Sequence, residues 1–281
     1  METQFEQIRE QQKQSWNTFS PGWKKWDAKT MQMLQPAGDE IIRCLDLRGS
    51  EAVLDVATGT GEPGLTIAAR VQNGHVIGTD LSERMLAIAA AKATENGVGN
   101  YEVRLADVCE LPFPDASFDA ISCRMGFMFF PDMILAAQEM YRVLRPGGRL
   151  ATSVWSGPDH NPWVTTIMGP ISKTLAPPPP APGAPGMFRC SAPGMLAELL
   201  RQAGFKNVVE QEVQAPINYG TADTYWQMMT EVAAPVVADM RKADAATRAT
   251  IKAQTLAGIS QQCSVSHTTL NSGAFVLCGR K

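Results

Sequence analysis

The apolar positions of this chain fall into two rhythms. From residue 51, short runs rich in Val, Ile, Leu and Ala recur: AVLDVA (52–57), HVIGTD (75–80), YEVRLAD (101–107), FDAISCR (118–124) and RLATSVW (149–155). Runs of that length, bounded by Gly, Pro, Asn and Asp, predict strands. Between them, 65–71, 82–96 and 132–144 have helical character. Ser82 suits an N-cap and Gly97 a C′ position for the second of these. In the third, Ile134, Ala137, Met140 and Leu144 recur at roughly helical spacing and give one apolar face. Such strand–helix alternation predicts an α/β fold with a mostly parallel sheet covered on both faces.

The flanks differ. The first thirty residues predict a helix through the polar run ending at Gln14, then a turn at Pro21-Gly22 amid Trp16, Phe19, Trp23 and Trp26. A second helical stretch covers about 31–44. After Trp155 the regularity breaks. LAPPPPAPGAPG (175–186) forms neither a helix nor a central strand, because proline lacks the donor and fixes φ. A semi-rigid surface excursion is expected there. A helix at 191–203 closed by Gly204, a strand within 207–219, helical stretches at about 222–237 and 244–259, and a final strand GAFVLCGRK complete the chain. The expected organisation is an N-terminal helical cover (1–48) and a main domain (49–281). Residues 49–156 form its cofactor-binding half. Residues 157–281 form its substrate half, with cap segments near 157–190 and 221–260.

Composition narrows the classes. The chain has 281 residues, 44% hydrophobic and 19% charged, which excludes wholesale disorder. A net charge of −3 gives no general attraction to phosphate backbones, so no nucleic-acid partner is expected. No apolar run is long enough to span a bilayer, and the polar, Gln-rich start is unlike a secretory signal. A soluble cytoplasmic protein, without membrane insertion, is the expectation; the oligomeric state stays open. Cys44, Cys109, Cys123, Cys190, Cys263 and Cys278 are scattered, with no CxxC pair and no zinc spacing. They read as small hydrophobes, and no metal is expected.

The most informative segment is VLDVATGTGEPG (53–64). Gly59, Gly61 and Gly64 form a G-x-G-x-x-G between a strand and a helix, where glycine lets the backbone turn and a ligand lie against it. Three acids supply the context. Asp55 sits inside the first strand, where a carboxylate opposes a diphosphate and favours a ligand bearing a cation. Asp80 ends the second strand, placed to accept from ribose hydroxyls. It could equally cap the helix near Ser82. Asp107 ends the third strand, placed to accept from an adenine amine while the Val108 amide donates to the ring; it could also be a turn residue. Ribose, adenine and a cationic tail together describe S-adenosylmethionine better than NAD.

With those residues in place, the chain resembles a known family. VLDVATGTGEPGL, VIGTDLSERML, ADVCELPFPDASFDAISCRMGFMFFPD and RVLRPGGRLATSVW look like the successive motifs of class I S-adenosylmethionine-dependent methyltransferases, in particular the small-molecule group similar to ubiquinone/menaquinone C-methyltransferases. The resemblance covers 50–156 most strongly. It implies a Rossmann-like seven-stranded sheet with an antiparallel last strand. It also implies cofactor contacts at Asp55, Gly59, Thr60, Gly61, Asp80, Leu81, Asp107, Val108 and Arg124, with S-adenosylhomocysteine as the product form. Glu62 and Pro63 depart from the commonest loop of the family.

Methyl transfer from a sulfonium is an in-line displacement, so alignment and exclusion of water supply much of the catalysis. A base is needed only if the acceptor must lose a proton. Trp16 and Trp23 are candidates to cover the cofactor, since a sulfonium favours aromatic faces; packing of an N-terminal helix is the competing reading. Phe127, Met128, Phe129, Trp163, Tyr225, Trp226, Met228 and Met229 are candidate walls for a small organic acceptor. His160 is the one candidate general base, against the alternative of a loop histidine. A nicotinamide-type oxidoreductase and a noncatalytic cofactor-binding protein are the competing functions. Base methylation ranks lower, because no Asn-Pro-Pro-aromatic tetrapeptide is present.

Overall fold

The computed structural model describes residues 4–178, 181 and 183–281. Its centre is one seven-stranded sheet: β1 (Ala52–Val56), β2 (His75–Asp80), β3 (Tyr101–Leu105), β4 (Phe118–Arg124), β5 (Leu144–Trp155), β6 (Lys206–Gly220) and β7 (Thr268–Arg280). The spatial order is β3-β2-β1-β4-β5-β7-β6. β1 to β5 pair in parallel, and β7 runs antiparallel between β5 and β6. Every residue of β1 is buried, which accounts for an apolar run broken only by Asp55. The strand order reverses beside β1, between β2 and β4. In open α/β sheets the crevice at such a reversal, beyond the strands' carboxyl ends, receives ligands.

Ten α-helices lie among the described residues: α1 (Gln4–Lys25), α2 (Asp27–Leu45), α3 (Gly64–Arg70), α4 (Glu83–Glu95), α5 (Met133–Val143), α6 (Pro162–Leu175), α7 (Met195–Gln202), α8 (Ala222–Val232), α9 (Ala234–Lys242) and α10 (Ala245–Gln262). Ser82 caps α4, accepting from Met85 N at 3.1 Å, and Asp132 caps α5.

Four features depart from the sequence reading. The expected turn at Pro21 is absent, and α1 continues through it. Pro21 has no N–H for the Asn17 carbonyl four residues back, but Ser20 Oγ donates to that carbonyl at 2.9 Å and takes its place. The segment after Trp155 holds a helix, α6, whose Trp163, Val164, Ile167 and Ile171 face the core. The expected helix at 222–237 is two, broken at Ala233 just before Pro235. Finally, Cys44 on α2 and Cys278 on β7 form a disulfide, against the reading of all six cysteines as isolated hydrophobes. A sequence separation of 234 residues hides that pairing; α2 packing across β5 and β7 creates it. The proline-rich excursion at 175–186 falls partly outside the described residues. At its far end, Gly186 N donates to Met128 O at 3.1 Å.

Candidate active site

β1 runs into a turn that reverses over the sheet edge and enters α3. The turn is closed by Thr58 N donating to Thr79 O and Gly61 N donating to Thr58 O, both at 2.9 Å. Gly59 sits at φ +55°, and a Cβ there would meet nothing within 4 Å. Its α-carbon therefore faces open space, as a ligand lying on the backbone requires. Gly64 serves packing instead: a Cβ would come 2.7 Å from Asp55 Oδ2 and 2.8 Å from Tyr101 Cε2.

Asp55 is fully buried beneath this turn. Its Oδ2 accepts from Thr58 Oγ1 at 2.5 Å and from Gly64 N at 3.1 Å, while Oδ1 accepts from Ser122 Oγ at 2.6 Å. Ser122 is its register partner on β4. Burial pushes the carboxyl up to about 6, against the pull of those hydroxyls and of the Arg124 charge.

Asp80 behaves differently. Its Oδ2 accepts from Gly59 N at 3.0 Å and its Oδ1 from Ser82 N at 2.8 Å, so it clamps the turn to the start of α4 while facing the crevice. Burial raises its pKa against these backbone donors. Ser82, not Asp80, caps α4.

The crevice opens into a cavity with about 1330 Å³ of atom-free space including its open mouth. Gly59, Thr60, Asp80, Leu81, Val108, Arg124, Trp16 and Trp23 all line it. So do Met128, Phe129, Trp163, Met228 and Met229 of the expected acceptor wall. Trp16 packs edge-on against Phe129 with ring centroids 5.2 Å apart, joining α1 to the segment after β4. Trp23 Nε1 is buried without a hydrogen-bond partner.

Several expected residues lie elsewhere. Asp55 is not in the wall; its Oδ2 is taken by the turn and its Oδ1 by Ser122 of β4. Gly61 is also behind the wall, with Leu65 Cδ1 2.8 Å from where its Cβ would be. Asp107 is turned aside: its Oδ2 lies 3.3 Å from Arg9 Nη1 of α1, and its Oδ1 accepts from Cys109 N at 2.9 Å. Its neighbours Ala106 and Val108 do line the cavity. Of the acceptor wall, Phe127, Tyr225 and Trp226 are outside; Tyr225 is core, its hydroxyl donating to Trp163 O at 2.8 Å.

His160 also lies away from the cavity. It sits in a short helical turn before α6 with its side chain 48% exposed, its Nδ1 against Glu212 of β6, and it does not line the cavity. The turn after β5 carries it to the β6–β7 edge of the sheet, away from the reversal beside β1.

Sequence reasoning missed Gln12, Glu62, Met33, Leu34 and Met187 as lining residues. Gln12 and Met187 carried no signal, being unremarkable members of a polar helix and a loop. Glu62 could have been found, since it was the departure from the usual turn. Its Oε2 accepts from Thr66 N and Oγ1 at 3.2 and 2.7 Å, which ties it to the first turn of α3.

A parallel sheet with a glycine turn at its reversal, an acid ending the next strand and an aromatic helix over the mouth defines a nucleoside-binding α/β enzyme. Comparison with known proteins makes this specific. Residues 53–148 match the family model described as a methyltransferase domain. The chain is 32% identical over 242 residues to nocamycin O-methyltransferase of Saccharothrix syringae, spanning 76% of this chain and 86% of that relative. It is 45% identical over 113 residues to demethylmenaquinone methyltransferase of Thermus thermophilus, covering 38% of this chain and 50% of that protein. The crystal structure of the YcgJ protein from a Bacillus shares the fold, with a TM-score of 0.58 at 22% identity, over 87% of this chain and 97% of that one. The chain belongs to the class I S-adenosylmethionine-dependent methyltransferases. It transfers a methyl group from S-adenosylmethionine, and the oxidoreductase alternative has no support.

Among the described residues no group of three or more His, Cys, Asp or Glu could hold a metal ion. No described helix is long and apolar enough to cross a membrane.

Proposed function

We propose that the adenosyl end of the methyl donor lies along Gly59, Asp80, Leu81 and Val108 beneath Trp16. Its sulfonium end then points toward the chamber of Met33, Met128, Trp163, Met228 and Met229. The observation that carries this reading is the continuity of one cavity from the Asp80-clamped turn to that apolar chamber. The residues fit the group: Gly59 presents open backbone, Asp80 offers acceptors, and Trp16 and Trp23 offer aromatic faces and an unused indole N–H. Asp55 acts one layer back by fixing the turn through Thr58 and Gly64. Asp107 becomes an acceptor for the adenine amine once Arg9 gives way.

When bound, S-adenosylmethionine supplies a methyl group already activated on a positively charged sulfur. The chain contributes alignment, through walls anchored on β1, β2 and β4, and a dry chamber closed by α1 and α8. Asn17 Oδ1 accepts from Ser82 Oγ at 2.7 Å, Lys13 pairs with Glu83 at 3.0 Å, and Lys25 Nζ donates to Glu231 Oε1 at 2.8 Å; these contacts hold α1 over both halves.

The acceptor in this reading is a small, mostly apolar molecule methylated on oxygen, supported by the O-methyltransferase relative and by methionine-rich walls that adapt to ring systems. The division into a cover (1–48), a cofactor half (49–156) and a substrate half (157–281), and a cytoplasmic setting without nucleic-acid partners, belong to the same proposal. Calorimetry with S-adenosylhomocysteine and NADH, followed by mass spectrometry of extract incubated with labelled methyl donor, tests it. Binding of the first ligand alone and a labelled small product are expected. Cofactor binding with no product in any extract would favour the noncatalytic alternative.

A further inference from the structure

Arg124 is the anomaly of this cavity. It ends β4, lies partly buried in the wall, and its side chain's only hydrogen bond among the described residues runs from Nη2 to Met31 Sδ at 3.5 Å. A guanidinium carries five donors in a planar fork and is among the costliest groups to leave unpaired inside a protein. Arg142 shows the contrast: it bonds Glu139, Asp115 and the carbonyls of Leu111 and Phe113. Around Arg124 the carboxylates of Glu62, Asp55 and Asp27 act only at a distance, none within 4 Å. Each is engaged otherwise: Glu62 with the start of α3, Asp55 with the turn, and Asp27 with Lys92 at 2.9 Å.

The fork lies on the α2 side of the cavity. Nη1 is 3.5 Å from the point where a Cβ on Gly38 would stand, and α2 also contributes Met33 and Leu34 to the apolar chamber. A cation there faces a second cation whenever the sulfonium is bound, and an anion between them relieves both. Resting on the reading above, and in place of the cofactor contact that the family resemblance implies for this residue, we infer that the Arg124 side chain binds the acceptor as an oxyanion, so that the substrate class is an acidic hydroxyl on an apolar ring, a phenol or enol.

The acceptor loses its proton to solvent on binding. The ionised oxygen then gives an electron pair to the methyl carbon, the C–S pair stays on sulfur as a neutral thioether, and both opposite charges disappear. No protein base is needed, which accords with the absence of His160 from the wall. The guanidinium does the work of a base by favouring the ionised form near neutrality.

The test uses 4-nitrophenol, whose phenolate is coloured, with the full-length protein saturated by S-adenosylhomocysteine. Bound phenol should titrate at least about one pH unit below free phenol, a tenfold preference for the anion. Arg124→Gln should abolish the shift and Arg124→Lys keep part of it, while homocysteine-product affinity stays within about threefold. Binding of 4-nitroanisole, which has no ionisable oxygen, should be the same in wild type and both variants. No phenolate binding at millimolar concentration, a shift that survives Arg124→Gln, or a more than roughly tenfold loss of S-adenosylhomocysteine affinity in that variant would each overturn the inference. The last would assign the guanidinium to the cofactor instead. Failure of the wild type to bind S-adenosylhomocysteine would sink the reading on which the inference rests.

Discussion

Asp80 and Gly59 are joined by a 3.0 Å hydrogen bond, from the amide of the turn glycine to the carboxylate ending the next strand. One side chain thus sets the turn's shape and faces the cavity it borders. Asp80→Ala should therefore weaken S-adenosylhomocysteine by at least about thirtyfold, since a charge-assisted acceptor and the turn geometry are lost together. Titration calorimetry checks this, with thermal unfolding as the control for folding.

Asp55 makes stability depend on pH. Its carboxyl is raised from 3.8 to about 6 in the folded protein. Between those values the folded state holds a proton that the unfolded state has lost, so stability falls as pH rises. The contribution is complete below pH 3.8 and gone above about pH 6. Two units correspond to roughly 3 kcal/mol, an order of magnitude for so buried a group. Asp55→Asn should flatten this limb when unfolding free energy is measured between pH 4 and 7. An unchanged slope would remove Asp55 as its source.

Gly64 and Gly59 should respond in opposite ways. Alanine at 64 puts a methyl 2.7 Å from Asp55 Oδ2 and should cost about 1–3 kcal/mol in unfolding free energy through overpacking. Alanine at 59 has room, and its left-handed φ should cost only about 1–2 kcal/mol. Yet its methyl projects into the cavity, so cofactor affinity should suffer more than stability.

The Arg9–Asp107 pair links α1 to the segment after β3. With side chains 43% and 17% exposed, it is screened by solvent, and Arg9→Ala should shift stability by no more than about 1 kcal/mol. Asp107→Ala should lower S-adenosylhomocysteine affinity about tenfold through loss of the adenine acceptor. Equal, small effects of both changes on affinity would leave Asp107 as a partner of α1 alone.

His160→Ala should leave turnover and its pH profile unchanged, because the ring lies outside the cavity against Glu212. A rate loss confined to one limb of the profile would return it to the mechanism.

The legible part of this protein was local. Strands β1 to β5 and helices α3 to α5 followed from apolar runs, caps and glycines, because their faces are set by near neighbours in sequence. The glycine turn and Asp80 were legible for the same reason: a backbone that reverses in a few residues leaves its signature in those residues. What depended on contacts from elsewhere in the fold was less so. Pro21 announced a break that a single serine hydroxyl removed, and α6 hid in a segment crowded with Gly and Pro.

The sequence by itself determined the fold class, the glycine turn and the family, since each is written in contiguous residues whose chemistry the backbone demands. Only the tertiary structure decided that Asp55 faces inward while Asp80 faces the cavity, that Cys44 meets Cys278, that His160 is stranded at the sheet edge, and that Arg124 stands without an ion partner among the described residues. The physical reason is common to all four. A side chain's role depends on which groups surround it, and those groups arrive from elements tens to hundreds of residues away, as α2, β4 and β7 close around one sheet.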